Sequence, residues 1–171
     1  SLNRHAEALE SYAIAQSLSP DTPEIFHNRG TLLEDLQRDE EALAQYIKAI
    51  AIQSDFARAH LNASMCRLRL GDFQSGWEEF EWRWKVEDFP SPSRNFPKPL
   101  WLGKESLAGK TILLHAEQGL GDAIQFSRYA AAVADRGATV ILEAPRPLKC
   151  LFESLSDVHQ LVQYGEQLPE F

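Results

Sequence analysis

A fixed period constrains a fold more tightly than any composition can, and one runs through the first half of this chain. A shift of 34 residues superposes Ala8, Ala42 and Gly76, and likewise Tyr12, Tyr46 and Phe80. Leu9, Leu43 and Trp77 coincide, as do Leu2, Leu36 and Leu70. Ala15 meets Ala49, and Gly30 meets Ser64. The third unit departs in placing Arg83 at the alanine position, and Pro20 gives way to Ser54 and Asp88.

Local chemistry points to helices within each period. Asp21-Thr22-Pro23-Glu24 offers an acceptor before a first-turn proline, with Glu24 set for a capping box. Asp39 stands ready to cap the next helix, and Gly71-Asp72 reads as a terminating glycine followed by a new cap. Helices are expected over about 3–18, 24–37, 40–53, 57–70 and 73–86. The pattern resembles the tetratricopeptide repeat, in which small residues let two helices approach and an aromatic fills the space between hairpins. The resemblance covers residues 1–87, as a partial unit 1–22 and two units 23–56 and 57–87. It implies a helical solenoid with a protein- or peptide-binding groove. The first unit shows only its second helix, so its open edge is an expected site of self-association.

Asn28 and Asn62 occupy one slot in successive first helices, two residues before Gly30 and Ser64. An amide both donates and accepts, so such a pair can grip an extended peptide backbone without reading its sequence. The placement resembles the asparagine ladder of the O-GlcNAc transferase repeats. The competing reading is an asparagine tolerated on an exposed face. Trp77 and Phe80 have core spacing, whereas Trp82 and Trp84 cannot face one way on a helix, which marks this segment as a junction.

Residues 1–88 carry 9 Lys+Arg against 16 Asp+Glu, and residues 89–171 carry 8 against 9, giving nets of −7 and −1. That balance argues against nucleic acid and leaves open a groove for basic partners or a merely solvated face. No run approaches a membrane span, and the N-terminus lacks the apolar core of a signal peptide. Cys66 and Cys150 lie far apart with no CxxC, which suits reduced thiols in the cytoplasm. The five histidines have no ligand spacing, so no structural metal is expected.

Residues 88–110 change character, with Pro90, Pro92, Pro97 and Pro99 excluding helix. Phe96, Leu100, Trp101 and Leu102 are too apolar for a free linker, so an ordered strap over both domains is expected. From residue 111 apolar runs alternate with helical stretches. Strands are expected at Thr111–His115, Ala138–Glu143 and Val158–Val162, and helices at Ala123–Arg136 and Pro147–Ser156. Such alternation implies a parallel sheet, a βαβαβ unit over residues 111–171. The fold class is therefore α + α/β.

The chemistry candidates cluster after the first strand. Gly119 and Gly121 can cradle a phosphate or an acceptor where backbone N–H groups meet a helix dipole. Glu143, ending the second strand, stands where a dinucleotide fold holds its ribose. The fingerprint departs at Ile124 and in the longer loop Ala116-Glu117-Gln118. The stretch from Gly109 to Asp122, with Trp101-Leu102-Gly103, resembles the glycosyltransferase-like domain of bacterial repeat proteins. That domain is similar to the N-terminal lobe of heptosyltransferases and, more distantly, of O-GlcNAc transferase. The resemblance implies a GT-B lobe in which Asp122 acts as base on an acceptor hydroxyl. It implies no cofactor in this chain and a nucleotide sugar for a longer protein carrying the donor lobe, without which the chain is inactive. The proline-containing segment that follows Gly-Asp in the heptosyltransferases is absent here. Two alternatives stand beside it: Asp122 as a plain helix N-cap, in a nucleotide-binding Rossmann domain or in a scaffold without catalysis.

Overall fold

The computed structural model describes residues 2–91 and 93–171, with the side chains of residues 2 and 3 left out. Ser1, Pro92 and the Leu2 side chain, which entered the repeat and strap readings, lie outside the described residues. The chain divides into two compact units, 1–89 and 90–171.

The first unit contains α1 (Leu2–Leu18), α2 (Pro23–Asp35), α3 (Asp39–Ile52), α4 (Ala57–Arg69), α5 (Phe73–Phe80) and a 3-10 turn, η1 (Glu81–Lys85). The first four follow the expected spans closely. The fifth ends early, because Arg83 reaches back: its Nη1 donates to the Phe80 carbonyl at 3.2 Å and to the Glu81 carboxylate at 2.6 Å. The guanidinium packs against the Phe80 and Trp84 rings. A buried arginine thus stands where the earlier units keep alanine, and it draws the backbone into the tighter helix. Trp82 stacks on His60 at 3.8 Å, and Trp84 meets Phe89 edge-on at 5.8 Å.

Two expected caps are corrected. Thr22 and Arg38, not Asp21 and Asp39, precede α2 and α3, and neither side chain caps. Pro23 already removes one first-turn donor. Asp39 is drawn off by Arg69 of α4, with Nη2 at 2.8 Å. Gly71 does turn at φ +86°, and Asp72 accepts from the Ser75 N–H at 3.2 Å. Hydrogen bonding from the Ser75 side chain, and then from its backbone N–H, holds the Asp72 carboxyl below its ordinary value.

Tyr46, fully buried, centres the core with Leu33, Ala42, Ala63 and Cys66. Gly30 makes room for it: a Cβ there would lie 2.6 Å from the tyrosine ring. Gly76 admits Leu68 in the same way, at 2.7 Å.

The second unit holds three parallel strands in the order β1 (Thr111–His115), β2 (Thr139–Ala144), β3 (Gln160–Gln163). Between them lie α6 (Leu120–Ser127), α7 (Tyr129–Ala134), the turn η2 (Arg146–Leu148) and α8 (Lys149–Phe152). The single expected helix over 123–136 is corrected in two ways. It starts at Leu120, because the Gly119 carbonyl already accepts from the Ala123 N–H. It breaks at Arg128, where Ser127 Oγ and Arg128 Nε donate to the carbonyls of Ile124 and Gln125 and compete with the helix ladder. The helix expected at 147–156 is shortened to η2 and α8.

Val140, Leu142 and Ala144 alternate onto the face covered by α7 and α8, packing with Ala130, Val133, Leu148 and Phe152. Trp101 and Leu107 join that core, so the segment after residue 90 is part of the second unit. Leu100 and Leu102, expected to be covered, are 60% and 57% exposed.

Candidate functional site

In the first unit, α2 and α4 run as successive first helices, and they bring Asn28 and Asn62 to either side of one ring. His27 Nδ1 lies 3.2 Å from Asn28 Oδ1, and His27 Nε2 lies 3.2 Å from Asn62 Nδ2. The amide orientations fix the roles: Nδ1–H donates to Asn28, and Nε2 accepts from Asn62. This is a neutral imidazole. Burial agrees, holding His27 below its ordinary value, ahead of the opposing hydrogen bond to Asn28. Asn62 Nδ2 also donates to Tyr46 Oη at 3.3 Å, and Tyr46 in turn donates to Glu34 Oε2 at 2.7 Å. Desolvation pushes the Tyr46 phenol well above its usual value.

The expectation of two equivalent free rungs is therefore corrected. Asn28 is exposed, whereas Asn62 is half-buried and built into the core network. Each still keeps one unspent group: the Asn28 amide nitrogen and the Asn62 carbonyl oxygen have no partner among the described residues. One donor and one acceptor match the two groups of a peptide bond.

In the second unit, Asp122 is exposed in the first turn of α6. Gly119 takes the N-cap position, and no side chain caps the helix, so the plain-cap reading of Asp122 is corrected. Gly121 lies inside the first turn rather than in a loop. Glu143 is 2% exposed and gripped by Arg94, whose Nη2 lies 3.2 Å from Oε1 while Nη1 meets Oε2. A carboxylate so held has both oxygens taken by Arg94, an arrangement that the dinucleotide reading did not include. Burial pushes the Cys66 thiol up to about 12, so it is no nucleophile. Among the described residues no group of three or more His, Cys, Asp or Glu is placed to hold a metal ion. No described helix is long and apolar enough to cross a membrane.

No family model matches the chain. It is similar to protein FlbA of Caulobacter vibrioides, 23% identical over 163 residues, which covers 74% of this chain and 27% of FlbA. It is also similar to the TPR repeat-containing thioredoxin TTL4 of Arabidopsis thaliana, 38% identical over 71 residues, 42% of this chain and 10% of TTL4. Among solved structures it is similar to the second TPR of Spaghetti (RPAP3) bound to HSP90 peptide SRMEEVD. That likeness has a TM-score of 0.45 and 22% identity, over 46% of this chain and 72% of the other. The helical repeats are TPR-like. The chain spans about a quarter of FlbA and a tenth of TTL4.

Within the TPR-like unit the residue that sequence reasoning missed is His27, which joins the two asparagines. Its only signal was its place beside Asn28. In the second unit the missed residue is Arg94, one of two cations among the prolines, with Lys98.

Proposed function

We propose that the TPR-like unit binds an extended peptide or protein segment, and that the second unit is the acceptor side of a Rossmann-like GT-B lobe in a longer glycosyltransferase-like protein. The observation that carries peptide binding is the unspent donor of Asn28 and the unspent acceptor of Asn62, on two amides joined through His27. Exposed Ile14 and Leu18 on α1 fit self-association through that edge, and the unpaired Cys66 and Cys150 suit the cytoplasm. The test uses peptides selected by display on the chain. Asn28→Ala weakens them by about fivefold or more, the equivalent of one hydrogen bond. Equal affinity in variant and parent refutes the reading.

The support for the second half is Gly121-Asp122 opening the helix after a first parallel strand, with the carboxylate exposed to an acceptor. Asp122 takes the acceptor proton as the sugar leaves its nucleotide, and Gly119 and Gly121 present backbone to the acceptor or its phosphate. In a longer protein carrying the donor lobe, Asp122→Asn lowers turnover by roughly 10²–10⁴ and leaves the melting temperature unchanged. Full turnover in that variant removes the catalytic role, and no turnover in the parent leaves a scaffold.

A further inference from the structure

Side chains alternate along β2, so Ile141 and Glu143 point away from α7 and α8. The cation that meets Glu143 comes from the irregular segment 93–99 rather than from a strand or helix. Arg94 takes both carboxylate oxygens, and its guanidinium lies over the rings of Phe96 at 4.6 Å and Tyr164 at 5.4 Å. The receptor groups thus divide: Glu143 on β2 and Tyr164 just after β3 belong to the sheet, whereas Arg94 and Phe96 belong to the segment that covers it.

Two observations mark this segment as a cover that can be exchanged. It contains no helix or strand, and it is tied at its start by Ser91 Oγ donating to the Glu117 carbonyl. It also leaves a polar group unsatisfied. His115 pairs with Glu143 across the ladder, and Phe96 lies 5.2 Å from its ring. Among the described residues His115 Nδ1 is buried there with no hydrogen-bond partner. Glu143 sets the condition for lifting: removing one partner of a buried ion pair is costly, and another cation in the place of Arg94 lowers that cost.

We propose that Glu143 and Tyr164 form a receptor for a guanidinium group, that Arg94 fills it as an internal ligand, and that an arginine-bearing protein ligand displaces it together with segment 93–99. The planar, two-pronged contact favours guanidinium over a point-charge ammonium. This receptor is independent of the Asn28–Asn62 pair and of Asp122.

The test is chemical rescue in the full chain. Arg94→Ala strips Glu143 of its cation, and methylguanidinium at low-millimolar concentration replaces it. The readout is deuterium uptake in peptides spanning 139–164. The variant exchanges about tenfold faster or more than the parent, and methylguanidinium restores protection saturably. Tetramethylammonium, which carries charge without donors, does not. Loss of the rescue in Arg94→Ala/Glu143→Gln assigns it to the carboxylate. Absence of rescue in the single variant, or equal rescue in the double variant, overturns the receptor. Should Arg94→Ala fail to fold, the unaltered chain decides. The amides of 93–96 then exchange through an opening that leaves 139–144 protected, and one common rate for both segments overturns the exchangeable cover.

Discussion

Tyr46 and Gly30 together offer the sharpest test of the repeat packing. Tyr46 is fully buried, and replacing it by alanine removes a large aromatic from the centre of the core. Such deletions cost about 3–5 kcal/mol. The hydroxyl accounts for about 1 kcal/mol of that, separable as Tyr46→Phe, since it donates to Glu34 and accepts from Asn62. Phe80 shows that the third unit fills the same position without a hydroxyl. Gly30 supplies the second arm. A Cβ at residue 30 lies 2.6, 2.9 and 3.0 Å from three atoms of the Tyr46 ring, inside any normal contact. Gly30→Ala in the parent therefore costs about 1–3 kcal/mol of overpacking. With Tyr46 already alanine the clash is gone, and alanine in place of glycine in α2 gains up to about 1 kcal/mol of helix propensity. The same substitution is thus destabilising in one background and stabilising in the other. Urea unfolding followed by far-UV circular dichroism measures all four corners, with hydrogen exchange in α2 and α3 separating the two units. A Tyr46→Ala effect below about 1 kcal/mol, or Gly30→Ala acting with one sign in both backgrounds, would show the register to be wrong.

The depressed His27 predicts a pH dependence. The unfolded chain takes up a proton near the ordinary value of 6.5 that the folded ring refuses, so stability falls as pH drops from 6.5 toward the folded value and then levels. His27→Asn flattens that slope in unfolding midpoints taken across the window, and an unchanged slope assigns it elsewhere. Asn62→Ala costs about 1 kcal/mol through its lost bond to Tyr46, whereas Asn28→Ala leaves the midpoint within about 0.5 kcal/mol; equal effects in paired denaturant curves contradict the network. The chain alone, given a panel of nucleotide sugars, releases no nucleotide above background, and turnover at enzyme-like rates would refute the need for a second lobe.

The parts of the fold legible in the sequence are those written in short-range periodicity. The spacing of Ala8, Ala42 and Gly76 and of the aromatics places four helices closely, and the runs Thr111–His115 and Ala138–Glu143 place two strands to within a residue. What escaped depends on one side chain overruling a local rule. Arg83 reads only as a departure at the alanine position of the repeat, yet it is buried between two rings and tightens the helix into η1. Asp39 reads as a cap, yet Arg69, thirty residues on, competes for its carboxylate. Ser127 ends α6 through a bond three residues back, with no glycine or proline to announce it.

The candidate sites escaped for a related reason. The Asn28 and Asn62 slot is visible as a repeat, but the repeat implies equivalence, and the structure denies it. His27 is followed 34 residues later by Leu61, so the ring that joins the two amides has no counterpart in the next unit. The two asparagines are therefore unequal in environment, although they share one slot in the repeat. One amide is free enough to meet a ligand, and the other is committed to Tyr46 and hence to the core. A ligand that engages Asn62 then pulls on the same hydrogen-bond chain that runs through Tyr46 to Glu34 and on to Arg69 of α4. If the proposed peptide contact at Asn62 is made, binding and repeat stability are coupled through those four side chains. Peptide affinity in this unit should accordingly rise or fall with the packing at Tyr46, which a solenoid of independent rungs would not show.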